Sequence, residues 1–88
     1  MKYLITYDLK NKTKNYTTLY EQIKSFGPWW HYLETVWIVK STQTADFLSR
    51  DLLSHIDQSI DYILVIEIKT ENKQGWLPQK AWDWLNEN

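Results

Sequence analysis

The sequence predicts a small α+β domain whose strands and helices alternate as βαββαβ, with a short amphipathic helix after the last strand. Three observations carry this. Segments of alternating apolar and polar residues, rich in aromatic and β-branched types, occur near both ends of the 88 residues. Two stretches between them carry apolar residues at helical spacing. The short apolar runs between those stretches suit a hairpin. Two crossover helices of this length feed right-handed connections and close a four-stranded antiparallel sheet with both helices on one face, the ferredoxin-like arrangement. At this length the chain holds one core, so residues 1–88 are read as a single domain.

The first strand spans Lys2 to Leu9, with Tyr3, Ile5 and Tyr7 on one face and Leu4, Thr6 and Asp8 on the other. Lys10 to Asn15 is a polar loop, with Asn15 placed to cap the helix that follows. That helix aligns Tyr16, Leu19, Tyr20, Ile23 and Phe26 on one stripe, and Gly27-Pro28 ends it. Trp29 to Leu33 and Thr35 to Val39, separated by Glu34, read as a tight hairpin, with one bent strand as the alternative. On the first of these strands Trp29, His31 and Leu33 face one way and Trp30 and Tyr32 the other, which sends at least one indole into the core.

Thr42 or Thr44 caps a second helix, in which Ala45, Leu48, Leu52 and Ile56 share a face. Ser59 to Ile68 gives the strongest strand signal, with Ile60, Tyr62, Leu64, Ile66 and Ile68 opposite Asp61, Ile63, Val65 and Glu67. After a polar turn, Pro78 suits a first helical turn, and Ala81, Trp82 and Leu85 make a short stripe preceded by Trp76 and Leu77. This last helix is expected to cover the open sheet face or to dock on a second subunit, with Trp76, Trp82 and Trp84 as interface residues.

Composition narrows the chemistry. Cysteine is absent, which removes disulfides, thiolate metal sites and cysteine nucleophiles. His31 and His55, the only histidines, stand far apart without zinc-type spacing, and two glycines cannot build a phosphate-cradling loop. No segment approaches a membrane span or a signal peptide, so a cytoplasmic protein without a membrane partner is expected. The formal net charge is −1, but it is divided: residues 1–40 carry six lysines against three carboxylates, residues 41–88 four basic groups against eight acidic ones.

Three constellations carry candidate chemistry. Asp8 ends a strand at the sheet rim, where a carboxylate either ligates a hard cation or accepts hydrogen bonds from its own loop. Two copies about a dimer axis would share a metal that one carboxylate holds poorly. Lys10, Lys12 and Lys14 follow at once, and a basic loop there suits a phosphate backbone or ordinary solvated surface. Trp29 and His31 belong to the densest aromatic cluster, which serves the core, a dimer contact or base stacking.

The run Leu4-Ile5-Thr6-Tyr7-Asp8-Leu9, the helix end Ile23-Lys24-Ser25-Phe26-Gly27, the strand Thr35-Val36-Trp37-Ile38-Val39-Lys40 and the tail residues Trp76, Ala81, Trp84 and Leu85 resemble the SinR-like proteins. That family is similar to the CRISPR-associated Cas-two proteins and the VapD ribonucleases. The resemblance implies a homodimer that binds DNA or RNA, with Asp8 as catalytic acid and ligand of a divalent metal such as Mg²⁺. Lys10, Lys12 and Lys14 stand where those nucleases have arginines, and Thr35-Val36-Trp37 where they have Ser-Val-Phe. The competing expectation is a non-catalytic interaction module, an antitoxin-like regulator or a phage-encoded inhibitor, that engages a protein partner through its aromatic surface.

Overall fold

The computed structural model describes residues 1–88. Its elements are β1 (Lys2–Asp8), α1 (Thr17–Lys24), β2 (Trp29–Leu33), β3 (Val36–Lys40), α2 (Ala45–Leu53), β4 (Tyr62–Ile68) and α3 (Gln79–Glu87). The four strands form one antiparallel sheet in the order β2-β3-β1-β4, the arrangement expected of a ferredoxin-like βαββαβ chain. No helix is long and apolar enough to cross a membrane.

Alternation along the strands divides the side chains between two faces. Tyr3 and Ile5 of β1 and Trp37 and Val39 of β3 meet Leu19 and Ile23 of α1 and Leu48, Leu52 and Ile56 from α2 and its exit, and all nine are buried. This is the main core. On the opposite face a smaller core joins Trp30 and Ile38 to Ala81 and Leu85 of α3. The C-terminal helix therefore packs on its own sheet, over β2 and β3. Trp30 is 2% exposed, and its indole N–H donates to the Ala81 carbonyl at 3.1 Å, so the expected core indole is this one.

Coverage by α3 reaches Ile68 at the end of β4 but leaves Tyr62, Leu64 and Ile66 exposed. The outward side chains of β1 and β4 stand opposite one another in register: Asp8 with Tyr62, Thr6 with Leu64, Leu4 with Ile66. Tyr62, at 69% exposure, and its neighbours Leu64 and Ile66 form an apolar ladder on the edge strand of an open sheet face.

Several boundaries differ from the sequence expectation for local reasons. The first helix starts at Thr17: the Asn15 carboxamide accepts from the Thr17 amide at 2.9 Å, and Tyr16 takes the N-cap position without a side-chain cap. Asn15 shapes the approach as an Asx turn instead of capping directly. Of the two threonines offered for α2, Thr44 is the cap, its hydroxyl accepting from the Phe47 amide at 3.1 Å. The fourth strand starts at Tyr62 because Asp57 makes its own turn, accepting from the amide and hydroxyl of Ser59.

Gly27 joins α1 to β2 with φ +148°, a conformation that side chains rarely adopt, and a Cβ there would lie 2.2 Å from the Lys40 carbonyl oxygen. The next residue, Pro28, accepts from the Lys40 amide at 2.9 Å, so the turn presses directly on the end of β3.

Candidate functional site

No buried side-chain polar atom lacks a hydrogen-bond partner, so candidate chemistry lies at the surface. Two regions meet at the end of the sheet where β1 terminates.

The first is built on Asp8. Its side chain is 63% exposed, and Lys10 stands 3.5 Å away while also lying over the Tyr62 ring at 5.1 Å. An exposed pair of this kind is worth about 1 kcal/mol or less, so a phosphate can displace it cheaply. Lys12 is exposed, and Lys14 lies 6.0 Å from the centre of the Tyr16 ring. The three lysines thus follow Asp8 along one rim.

Asp61 secures the root of this loop. It is 5% exposed and accepts from the Lys10 amide at 2.7 Å, the Tyr16 hydroxyl at 2.6 Å and the Asp57 amide at 2.8 Å. Burial works against its charge, but these donors outweigh burial and hold the carboxyl below its ordinary value. Asp57 is also lowered, by the Ser59 hydroxyl and amide and by the Asn11 carboxamide, which donates to it at 2.9 Å. The Tyr16 phenol is raised, by burial and by its bond to Asp61. Alternation along the strand gave no sign of this role, because Asp61's donors come largely from a loop some fifty residues earlier.

The second region is an aromatic cavity of about 440 Å³ lined by Tyr7, Tyr20, Lys24, Trp29, His31, Glu34 and Trp37. His31 lies flat on Trp37, with ring centres 3.8 Å apart and planes 4° from parallel. Trp29 is tilted against Trp37, with ring centres 5.5 Å apart, and the Lys24 ammonium sits 5.1 Å above the Trp29 ring. The Trp37 indole donates to the Tyr7 hydroxyl at 3.1 Å. Burial is the chief reason the Tyr7 phenol is raised, with Tyr20 and Glu34 adding to it against the Trp37 bond. Sequence reasoning singled out Trp29 and His31 but not Tyr20, Lys24 or Glu34, which reach the same cavity from α1 and the hairpin turn.

The two regions communicate. A recess of about 250 Å³ is lined by Tyr7, Asp8, Leu9, Tyr20, Glu34 and Thr35, so Tyr7, Tyr20 and Glu34 belong both to it and to the aromatic cavity. Of the three tryptophans expected at an interface, Trp76 is 98% exposed, whereas Trp82 and Trp84 are half-buried against the α3 core.

As a metal centre, one chain is a poor fit. Nowhere does it gather three His, Cys, Asp or Glu side chains able to hold an ion, and the Asp8 carboxylate is already faced by a lysine. Hard cations take several oxygen ligands, so a cation at Asp8 needs donors from another molecule.

No protein-family model matches the sequence, and no curated protein matches it. Among solved structures the chain is similar to a hypothetical protein, TT1823, from Thermus thermophilus, with a TM-score of 0.64 and 19% identity over 88% of this chain and 93% of that one. A likeness at that identity speaks for the fold alone.

Proposed function

We propose that the protein is a homodimeric nucleic-acid-binding protein of Cas-two type, with Asp8 as the acid of a Mg²⁺-dependent endonuclease. The observation that carries this reading is that Asp8 ends the β1 row on the same open sheet face as the exposed ladder of Tyr62, Leu64 and Ile66. Burying that face against a second copy places two Asp8 side chains on the shared surface, which answers the want of ligands in one chain. Lys10, Lys12 and Lys14 then neutralise phosphates along the rim, each contributing to the salt dependence of binding. Lys10 exchanges its weak pairing with Asp8 for a phosphate and frees the carboxylate as it does so. A divalent cation held by the paired carboxylates would supply charge neutralisation at the phosphate and a more acidic bound water.

The test is a binding and cleavage assay on labelled DNA and RNA at low salt, with and without Mg²⁺. Wild type should bind in a salt-sensitive manner and cleave only with Mg²⁺, while Asp8→Asn should bind and fail to cleave. Absence of retention by any nucleic acid would sink the reading.

A second reading is a non-catalytic module that engages a protein partner, in the manner of an antitoxin-like regulator or a phage-encoded inhibitor. The fully exposed indole of Trp76 and the uncovered ladder on β4 favour it. On that reading Asp8→Asn is silent and Trp76→Ser weakens partner binding.

A further inference from the structure

We infer that the aromatic cavity is a receptor for one unpaired nucleobase, so that the nucleic acid recognised is single-stranded or presents an extruded base. This rests on the nucleic-acid reading above and adds a substrate class to it.

The cavity's size, about 440 Å³, lies in the range that buries a small planar ligand. Its walls offer ring surface: Trp29 is 42% exposed, and His31, held flat against the buried Trp37, supplies a second, rigidly backed ring beside it. Stacking on such faces is tolerant of sequence, because every base has a π-face.

Edge recognition is also present. The His31 Nδ1 lies 3.0 Å from the Val36 carbonyl oxygen, and only an N–H can make that contact. In the neutral ring Nε2 is therefore an acceptor, suited to a ring N–H or exocyclic amine. The Tyr7 hydroxyl already accepts from Trp37 and has only a long, 3.4 Å contact to the Glu34 carbonyl for its own proton, so it can donate to a better acceptor.

An aromatic pocket can instead hold a quaternary ammonium. Lys24 argues against that occupant. Its ammonium already takes the cation position over Trp29 and would repel a second positive charge, whereas it attracts the phosphate attached to a base. The walls shared with the Asp8 recess complete the case, because a nucleotide seated by its base has its backbone led around the sheet end towards Asp8 and the lysine loop. A base held in a duplex is stacked and paired and cannot enter; an unpaired one can.

The experiment measures binding by fluorescence anisotropy for three oligomers of equal length: a single strand of mixed sequence, its duplex, and a single-stranded backbone without bases. Wild type should bind the first at least tenfold more tightly than the other two. Trp29→Ala and, separately, Tyr20→Leu should lower affinity for the single strand to that of the base-free backbone while leaving the base-free affinity unchanged, which also shows that the variants are folded. Equal wild-type affinity for all three oligomers overturns the pocket and leaves backbone binding intact. Discrimination that survives both substitutions overturns it too. No salt-sensitive binding to any of the three removes the nucleic-acid reading itself, and the pocket assignment with it.

Discussion

Replacing Gly27 with alanine should unfold the junction between α1 and β2, and the size of the effect follows from two separate strains. At φ +148° a residue with a Cβ is held in a conformation costing of order 1–3 kcal/mol. The new methyl would also start 2.2 Å from the Lys40 carbonyl oxygen, roughly 1.3 Å inside ordinary van der Waals contact, with backbone and no flexible side chain on the other side. Relief requires Gly27-Pro28 to move off β3, which stretches the 2.9 Å bond from the Lys40 amide to Pro28 and forfeits about 1 kcal/mol. Alanine's stiffer unfolded chain returns about 0.4–1 kcal/mol. The net loss is about 3 kcal/mol, or roughly 12–24 °C in Tm for a domain of this size. Thermal unfolding followed by circular dichroism measures it. Gly75→Ala is the control, since its Cβ would rest 3.9 Å from the Trp82 ring and no positive φ is involved, so its Tm should stay within a few degrees or rise. If Gly27→Ala melts within about 3 °C of wild type, the reasoning from that turn is wrong.

Removing the Trp30 indole should cost about 3–5 kcal/mol as alanine, and about 1–2 kcal/mol as phenylalanine, where the bond to the Ala81 carbonyl is the main loss; urea unfolding distinguishes them, and equal midpoints would contradict the docking of α3. Asp61 and Asp57 have folded pKa values below the ordinary 3.8, so their stabilisation is present above that pH and lost as the pH falls through the lowered values. Asp61→Asn should therefore flatten the acid limb of a stability–pH curve below about pH 4, and an unchanged limb would show that its hydrogen bonds are not linked to charge. If the proposed dimer forms, Leu64→Lys should turn it into a monomer in sedimentation velocity and abolish the rise of Tm with protein concentration, because Leu64 is exposed in the single chain and contributes little to its own core; a persistent dimer would move the interface elsewhere. Changing Lys10, Lys12 and Lys14 together to Gln should reduce the slope of log affinity against log salt by about 2 for single strands, and an unaltered slope would place the phosphates elsewhere.

Much of the fold was legible because it depends on local periodicity. The period-two pattern placed Tyr3, Ile5 and Tyr7 on one face of β1 without showing that this row alone faces the main core, and the helical spacing of Leu48 and Leu52 identified the buried face of α2. A threonine cap for α2 was readable from position, but the choice of Thr44 over Thr42 was made only by the fold. Other features depend on residues that meet only after folding. Asp61 sits in an alternating strand pattern, yet two of its three hydrogen-bond donors, the Lys10 amide and the Tyr16 hydroxyl, come from the other side of the sequence. The aromatic cavity was half visible, because Trp29 and His31 are neighbours in sequence, whereas Tyr20 and Lys24 enter from a helix and Glu34 from a turn. Asp8 was visible as a strand-end carboxylate; that it shares a face with Tyr62, Leu64 and Ile66 is a matter of register between two strands far apart in the chain.

That register has a consequence for the order in which the domain assembles and opens. β1 is the hub of the sheet, paired on one side with β3 and on the other with β4, some sixty residues later. Long loop closures are slow to repay their entropy, so β4 is the natural last strand to join in folding. As an edge strand it pairs with β1 alone, and of its outer row only Ile68 reaches the α3 core. In native-state hydrogen exchange its amides should belong to the first sub-global opening, ahead of β1 and β3. A strand that detaches reversibly from an otherwise intact core can also re-anneal on another molecule, so concentration governs whether β4 returns to its own β1 or exchanges between chains.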